Sequence, residues 1–187
     1  MRVKKLYIIA GANGSGKTTF AMNFAQLHNL KFINADEIAK EYDPDNIYKY
    51  KMKAGKEFFS KLYQALLENN SFIIETTLSG KYLIKIIKKA KEYNFKVVLV
   101  YIFLETDIEN IYRVKNRVLK GGHNVPVNDI IRRYHRSRRM FTDIYIKLAD
   151  EWMLIFNGDD SFVLVEDQDE IYDEELKEVF LRGRKNE

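Results

Sequence analysis

The chain has no cysteine, only two prolines and nine glycines among its 187 residues. Without cysteine it can form neither disulfides nor thiolate metal sites, which fits a reducing cytoplasm. No apolar run approaches the roughly 18 residues that a membrane span needs, so we expect a protein without a membrane segment. The length suits one α/β domain with a full core, which we place over residues 1–187.

Apolar runs alternate with helical periodicity along the chain. This order predicts an α/β fold of the P-loop NTPase type, a mostly parallel sheet covered by helices on both faces. The predicted strands are residues 3–10, 31–34, 71–75, 95–104, 152–156 and 162–165, the last two as an antiparallel hairpin. The predicted helices are residues 17–28, 36–42, 47–68, 81–93, 107–120, 127–149 and 171–181.

Residues 11–18 read GANGSGKT and match the complete phosphate-loop pattern GxxxxGK[ST] between a predicted strand and a predicted helix. The glycines let the loop curl so that its N–H groups point at phosphates, and the helix N-terminus adds a favourable dipole. Lys17 reaches the β- and γ-phosphates, and the Thr18 hydroxyl ligates Mg²⁺. The sequence therefore predicts binding of ATP or GTP with Mg²⁺. The predicted binding residues are Gly11, Ala12, Asn13, Gly14, Ser15, Gly16, Lys17, Thr18 and Thr19.

Two carboxylates follow predicted strands, where a parallel sheet forms its ligand crevice. Asp36 can face the γ-phosphate and accept a proton from an acceptor hydroxyl, but it also fits the N-cap of a helix. Glu75 can orient Mg²⁺ or bind the substrate, with hydroxyl contacts from Thr76 and Thr77, or it can cap the next helix. Spacing alone leaves these alternatives open.

The formal net charge of +4 suits an anionic partner, although a generally lysine-rich composition explains it equally well. Basic residues recur at i, i+4 and i+7 on two predicted helices, which places each set on one helix face. The two sets are Arg113, Arg117, Lys120 and Arg132, Arg136, Arg139. We expect a helical lid over about residues 113–139, whose arginines close over the γ-phosphate. Solvated faces or nucleic-acid binding are alternatives. No aromatic residues interleave with the arginines, however, so we do not expect a nucleic-acid ligand.

Several segments together resemble the zeta-toxin-like P-loop family of bacterial proteins. The matching stretches are residues 11–18 (GANGSGKT), 34–37 (NADE), 75–80 (ETTLSG), 121–126 (GGHNVP), 131–134 (IRRY) and 149–152 (ADEW), with Arg117 and Asn157. They occur in the family's order over about residues 3–160. The second, third and fourth stretches are more specific than the phosphate loop, which many families share.

The resemblance implies a kinase that transfers the γ-phosphoryl group of ATP to UDP-N-acetylglucosamine. It implies that Asp36 is the catalytic base and that Glu75 and Thr77 help to bind the sugar nucleotide. The chain is shorter than true zeta toxins, which leaves the acceptor open. In the toxin role, a protein antitoxin would cover the ATP site.

The lid departs from the family's pattern, because His123 stands where the family carries an arginine. The arginine's role then falls to Arg117, Arg133 or Arg136, and His123 becomes a substrate or phosphate contact. Asn157 is expected near the adenine, from its position after a late strand and from the resemblance. The alternative function is a slow ATPase that acts as a nucleotide-dependent binding module for nucleic acid or a protein partner. We expect a monomer, because no heptad repeat stands out.

Overall fold

The computed structural model describes residues 3–44, 46–158 and 161–184, and the ends of the predicted domain, residues 1–2 and 185–187, lie outside the described residues. The strands are β1 Lys5–Ala10, β2 Lys31–Ile33, β3 Phe72–Thr76, β4 Lys96–Phe103, β5 Glu151–Asn157 and β6 Phe162–Asp167. The helices are α1 Lys17–His28, α2 Ala35–Tyr42, α3 Ile47–Glu68, α4 Tyr82–Glu92, α5 Asp107–Leu119, α6 Val127–Met140 and α7 Glu174–Arg182.

The strands form one sheet in the order β2-β3-β1-β4-β5-β6. The first five are parallel to their neighbours, and β6 runs antiparallel to β5, which confirms the predicted closing hairpin. β1 lies beside β3 with Ile9 opposite Glu75 and Ala10 opposite Thr76. The loop that leaves β1 therefore starts next to the end of β3.

Helices cover both faces of the sheet, as the alternating pattern predicted, but unevenly. β4 reads KVVLVYIF and is buried along all but its first residue, as expected for a central parallel strand. One face packs on α1 through Phe20, Ala21 and Phe24. The other face packs on α2, α3, α4, α6 and α7. Among the described residues, no helix is long and apolar enough to cross a membrane.

The prediction of one continuous helix over residues 127–149 is wrong for its second half. α6 ends at Met140, and a single π-helical turn follows over Phe141–Tyr145. The Thr142 hydroxyl donates to the carbonyls of Arg138 and Arg139, 3.2 Å away in each case. Such side-chain bonds compete with the regular helical ladder and bend helices, which accounts for the altered turn.

The last helix also starts later than predicted, at Glu174 instead of residue 171, because the Asp173 side chain caps it by accepting from the Leu176 N–H at 2.9 Å.

The C-terminal end of α7 is held by a buried arginine on α6. Arg138 is 1% exposed and donates to the carbonyls of Phe180 at 2.7 Å, Val179 at 3.3 Å and Leu104 at 2.5 Å. The first two carbonyls belong to the last turn of α7, where carbonyls lack regular helical partners, and the Phe180 carbonyl also accepts from the Gly183 N–H at 3.2 Å. A cation at this end also complements the helix dipole. Arg138 thus joins α6, α7 and the end of β4.

Replacing Arg138 with alanine should lower the free energy of unfolding by about 3 kcal/mol, because buried carbonyls lose their donors. The measurement is urea denaturation followed by circular dichroism. Arg136→Ala is the matched control, since Arg136 is exposed on the same helix and its loss should change stability by less than about 0.5 kcal/mol. Equal effects of the two substitutions would show that Arg138 does not hold α7.

Candidate active site

The phosphate loop adopts a backbone path that requires glycine, as Gly14 and Gly16 illustrate. Gly14 and Gly16 have φ angles of +84° and +87°, in the left-handed region. A methyl group on Gly14 would lie 2.5 Å from the Asn110 carbonyl oxygen, and one on Gly16 would lie 2.2 Å from Nδ2 of Asn157. The first residue of α1 is Lys17, whose buried ammonium donates to the Ala12 carbonyl at 3.2 Å.

Three side chains from outside the motif support this loop. Asn110 of α5 donates to the Asn13 carbonyl at 2.6 Å, and Asn157 at the end of β5 donates to the Ser15 carbonyl at 2.9 Å. Arg133 of α6 donates to Oδ1 of Asn13 at 2.9 Å. Asn110 is not among the site residues predicted from the sequence. The sequence indicates it only in one way, because a polar residue stands four positions before Val114 and so shares the buried side of α5.

The Glu75 carboxylate connects the phosphate loop with the neighbouring strands. Oε1 accepts from the Thr18 hydroxyl at 3.1 Å and lies 3.6 Å from Nζ of Lys17, while Oε2 accepts from Nδ2 of Asn34 at 2.7 Å. The Lys17 and Glu75 side chains are both less than 10% exposed. Glu75 does not cap the next helix, because α4 begins only at Tyr82.

Asp36 is not the cap of α2, so the capping alternative is wrong. The helix begins at Ala35, and the Asn34 side chain caps it by accepting from the N–H groups of Asp36 at 2.7 Å and Glu37 at 3.4 Å. The Asp36 carboxylate is left 52% exposed, with Oδ2 at 3.6 Å from Nε2 of His123. This carboxylate therefore remains available to a ligand.

Arg117 and His123 form the opposite wall. Arg117 donates to the His123 carbonyl at 3.0 Å and approaches its Nε2 at 3.3 Å. Burial, and after it the charge of Arg117, lowers the pKa of His123 despite the nearby Asp36 carboxylate, so the ring is neutral at pH 7. Burial also lowers the pKa of the Arg117 guanidinium. In the described part of the chain, Nε of Arg117 has no hydrogen-bond partner.

These groups line one cleft of about 940 Å³ between the phosphate loop, α2 and α5. Other side chains along it are Thr19, Lys40, Arg113, Lys120, Asn157 and Phe162. The basic face predicted on α5 thus points into the cleft. Six of the predicted loop residues line this cleft together with Asp36, Glu75, Arg117, His123 and Asn157. The six are Asn13, Gly14, Gly16, Lys17, Thr18 and Thr19.

Six predicted site residues lie outside the cleft lining, and three of them, Gly11, Ala12 and Ser15, belong to the phosphate loop itself. The Thr77 hydroxyl is 3.0 Å from the Ser79 hydroxyl, and Thr77 does not line the cleft. Arg133 contacts Asn13 from above the loop. Arg136 is exposed on α6 and belongs to a basic face that does not reach the cleft. Of the two basic helix faces, only that of α5 is part of the site.

A complete phosphate loop between the first strand and first helix of a mostly parallel sheet, beside a strand-end carboxylate, defines the P-loop NTPase class. The sequence model of the zeta toxin family matches residues 2–175. The chain belongs to the zeta toxin family. A Haemophilus influenzae protein described only as uncharacterized is 34% identical over 138 residues, which cover 70% of this chain and 98% of that protein.

Solved structures share the fold. The complex of AvrRxo1-ORF1 and -ORF2 with ATP is similar with a TM-score of 0.76 and 17% identity. The PezAT toxin–antitoxin system of Streptococcus pneumoniae is similar with a TM-score of 0.65 and 18% identity. Both similarities cover 98% of this chain, which spans 65% of the first structure's chain and 85% of the second. At these identities the likeness concerns the fold alone.

The lowered pKa of His123 predicts a pH dependence of stability. The unfolded chain takes up this proton near the ordinary histidine pKa of about 6.5, whereas the folded chain takes it up only at lower pH. The free energy of unfolding should therefore fall as the pH drops below about 6.5. His123→Gln should reduce this loss between pH 7.5 and 5.5, measured by urea denaturation. Equal losses in the two proteins would contradict the assignment.

Proposed function

We propose that this protein is an ATP-dependent kinase that transfers the γ-phosphoryl group to a hydroxyl of a small-molecule acceptor. The observation that carries the proposal is the Asp36 carboxylate, which stays half exposed in the cleft because Asn34 performs the capping. Membership of the zeta toxin family and the ATP complex of a structural neighbour support it.

On the nucleotide side, the loop N–H groups and Lys17 would bind the phosphates. Thr18 and Glu75 would hold Mg²⁺, since their oxygens lie 3.1 Å apart and Mg²⁺ in such sites takes one or two protein oxygens beside the phosphates. When bound, the ion neutralises charge on the transferred group. The adenine would lie toward Thr19, Asn157 and Phe162 at the far end of the cleft. Because the Asn157 amide already donates to Ser15, it would support the loop beside the base.

On the acceptor side, Asp36 would accept the proton of the attacking hydroxyl. Arg117 would stabilise the transferring phosphoryl group, because its positively charged side chain lines the cleft. Neutral His123 would orient the acceptor by a hydrogen bond. Each role needs positioning and charge and no covalent intermediate.

The acceptor class and the partner are further parts of the proposal. UDP-sugars are the first acceptors to test, because the motifs of the family imply them. A protein antitoxin is the first partner to test, since the PezAT neighbour is a toxin–antitoxin system. We further propose that the chain is a monomer in the absence of such a partner.

The decisive experiment is a phosphoryl-transfer assay with γ-labelled Mg-ATP and a pool of UDP-sugars, nucleosides and short oligonucleotides. A labelled small-molecule product that Lys17→Ala abolishes would establish the kinase and identify the acceptor. ATP binding with slow hydrolysis and no labelled acceptor would point to an ATPase. A labelled oligonucleotide would show a polynucleotide kinase, contrary to the proposal.

Replacing Asp36 with asparagine should lower kcat for the identified acceptor roughly 100-fold or more, as loss of a general base does. ATP affinity, measured with a fluorescent ATP analogue, should stay within about twofold because only the acceptor loses its base. Glu37→Gln is the matched control, since Glu37 is the neighbouring acid in the cleft and pairs with Lys40. Wild-type turnover in Asp36→Asn would exclude Asp36 as the base.

Replacing Glu75 with glutamine should raise the Mg²⁺ concentration needed for half-maximal ATP binding by roughly 10-fold, a typical effect of losing a supporting group at a metal site. The measurement is ATP binding titrated with Mg²⁺. Glu68→Gln is the control, because Glu68 is a carboxylate on the surface that pairs only with Lys31 among the described residues. An unchanged Mg²⁺ titration would remove Glu75 from the metal site.

A further inference from the structure

An apolar line runs along the exposed side of α3, the longest of the described helices. One side of α3 is buried in the core through Ala54, Phe58, Leu62, Ala65 and Leu66. A second apolar set lies at spacings of 7, 4 and 4 residues, which places its members on one helix side. It consists of Met52, Phe59, Tyr63 and Leu67, and Tyr82 of α4 adjoins Phe59 with ring centroids 6.3 Å apart. We call these five residues the α3 stripe.

The members of the α3 stripe lie along one side of the structure and are not scattered over it. From Met52 to Leu67 the stripe extends roughly 22 Å at 1.5 Å per residue. Isolated apolar side chains are normal on a protein surface, whereas an aligned patch of this length commonly marks an interaction site. None of its residues lines the ATP cleft. The proposed kinase activity therefore does not account for it.

The rim of the α3 stripe is positively charged. Lys56 falls within the line, and Lys85 and Lys89 project from the adjacent α4. The Lys89 ammonium is already paired with the Glu92 carboxylate at 2.9 Å, so its charge is compensated. Within the part of the chain that the structure describes, Lys56 and Lys85 make no ion pair. The apolar line thus has uncompensated positive charge along it.

The ends of the stripe are more exposed than its aromatic middle. Met52 and Leu67 at its ends are 79% and 68% exposed, whereas Phe59 and Tyr63 between them are 39% and 49% exposed. A partner helix of about four turns would match the length of the stripe and contact both its ends and its middle.

We propose that the α3 stripe is the docking site of a protein partner that presents an acidic amphipathic helix. The apolar face of that helix would lie on the stripe, and its carboxylates would pair with Lys56 and Lys85. A second copy of this chain is a poorer occupant, because it would set these lysines against their own counterparts. Docking leaves the cleft open, so partner and ATP bind independently.

A labelled peptide of about 18 residues tests the proposal. It carries leucines at spacings of 4, 3 and 4 residues, which form one apolar helix face, and glutamates on its other faces. A second peptide has lysine in place of each glutamate. Fluorescence anisotropy with the full chain should show saturable binding of the acidic peptide alone, with Kd below the order of 100 µM. Amide NMR shifts should be confined to α3 and α4, and saturating Mg-ATP should leave Kd within about twofold.

Two variants locate the binding. Met52→Ser/Leu67→Ser and Lys56→Glu/Lys85→Glu should each weaken the acidic peptide at least 10-fold, or about 1.4 kcal/mol. The controls are Leu27→Ser, an exposed leucine on α1, and Lys115→Glu, an exposed lysine on α5, and both should bind as the wild type does. All six changed residues are exposed, and circular dichroism checks that each variant folds.

Four results would overturn the proposal. Equal binding of the acidic and basic peptides, or wild-type affinity in both stripe variants, would show that the stripe does not select an acidic helix. Binding to phosphatidylserine vesicles that Met52→Ser/Leu67→Ser abolishes, without peptide binding, would make the stripe a membrane contact. Self-association in sedimentation velocity that the same variant abolishes would make it an interface between copies of this chain.

Discussion

The arrangement of the site depends on one buried carboxylate. Glu75 is shared by Lys17, Thr18 and Asn34, at distances of 3.6, 3.1 and 2.7 Å. A buried charge is tolerated only when it is paired and hydrogen-bonded, and these three partners meet that requirement. Since Nδ2 of Asn34 donates to Glu75, its Oδ1 is turned to the start of α2 and caps it. The carboxylate at the end of β3 therefore fixes where α2 begins, and with it where Asp36 stands.

The parts of this site that could be predicted from the sequence are those set by local rules. The phosphate loop follows from its motif, and the meeting of Glu75 with Lys17 follows from the rule that parallel strands end at one edge. The cap of α2 could not be predicted, because asparagine and aspartate are equally good caps and Asn34 precedes Asp36 by two residues. Only the hydrogen bond from Asn34 to Glu75, which the folded structure creates, distinguishes the two candidate caps.

Helical spacing identified the basic faces of α5 and α6 but not their direction. A spacing of i, i+4 and i+7 groups residues on one side of a helix, and the packing of that helix then decides what the side faces. Val114, Val125 and Ile130 pack α5 against α6, and this packing turns Arg117 toward the cleft. α6 reaches the phosphate loop through Arg133 and holds α7 through Arg138. If α6 moves as a rigid unit in a lid motion, these contacts must either break or move together with the helix.

Basic side chains lie on two surfaces that differ in burial. In the cleft, Arg117 is largely buried and fixed by His123, so its attraction to phosphate acts at close range and is weakly screened. Along the α3 stripe, Lys56 and Lys85 are exposed, and salt at physiological strength screens their field beyond about 8 Å. The cleft therefore suits a small ligand held in a defined geometry. The α3 stripe suits a partner that is attracted by charge and held by apolar contacts. The two surfaces meet through α2 and α3, which pack on each other while Ile47 at the start of α3 borders the cleft. A partner on α3 would nevertheless leave the cleft uncovered, because no residue of the stripe lines it.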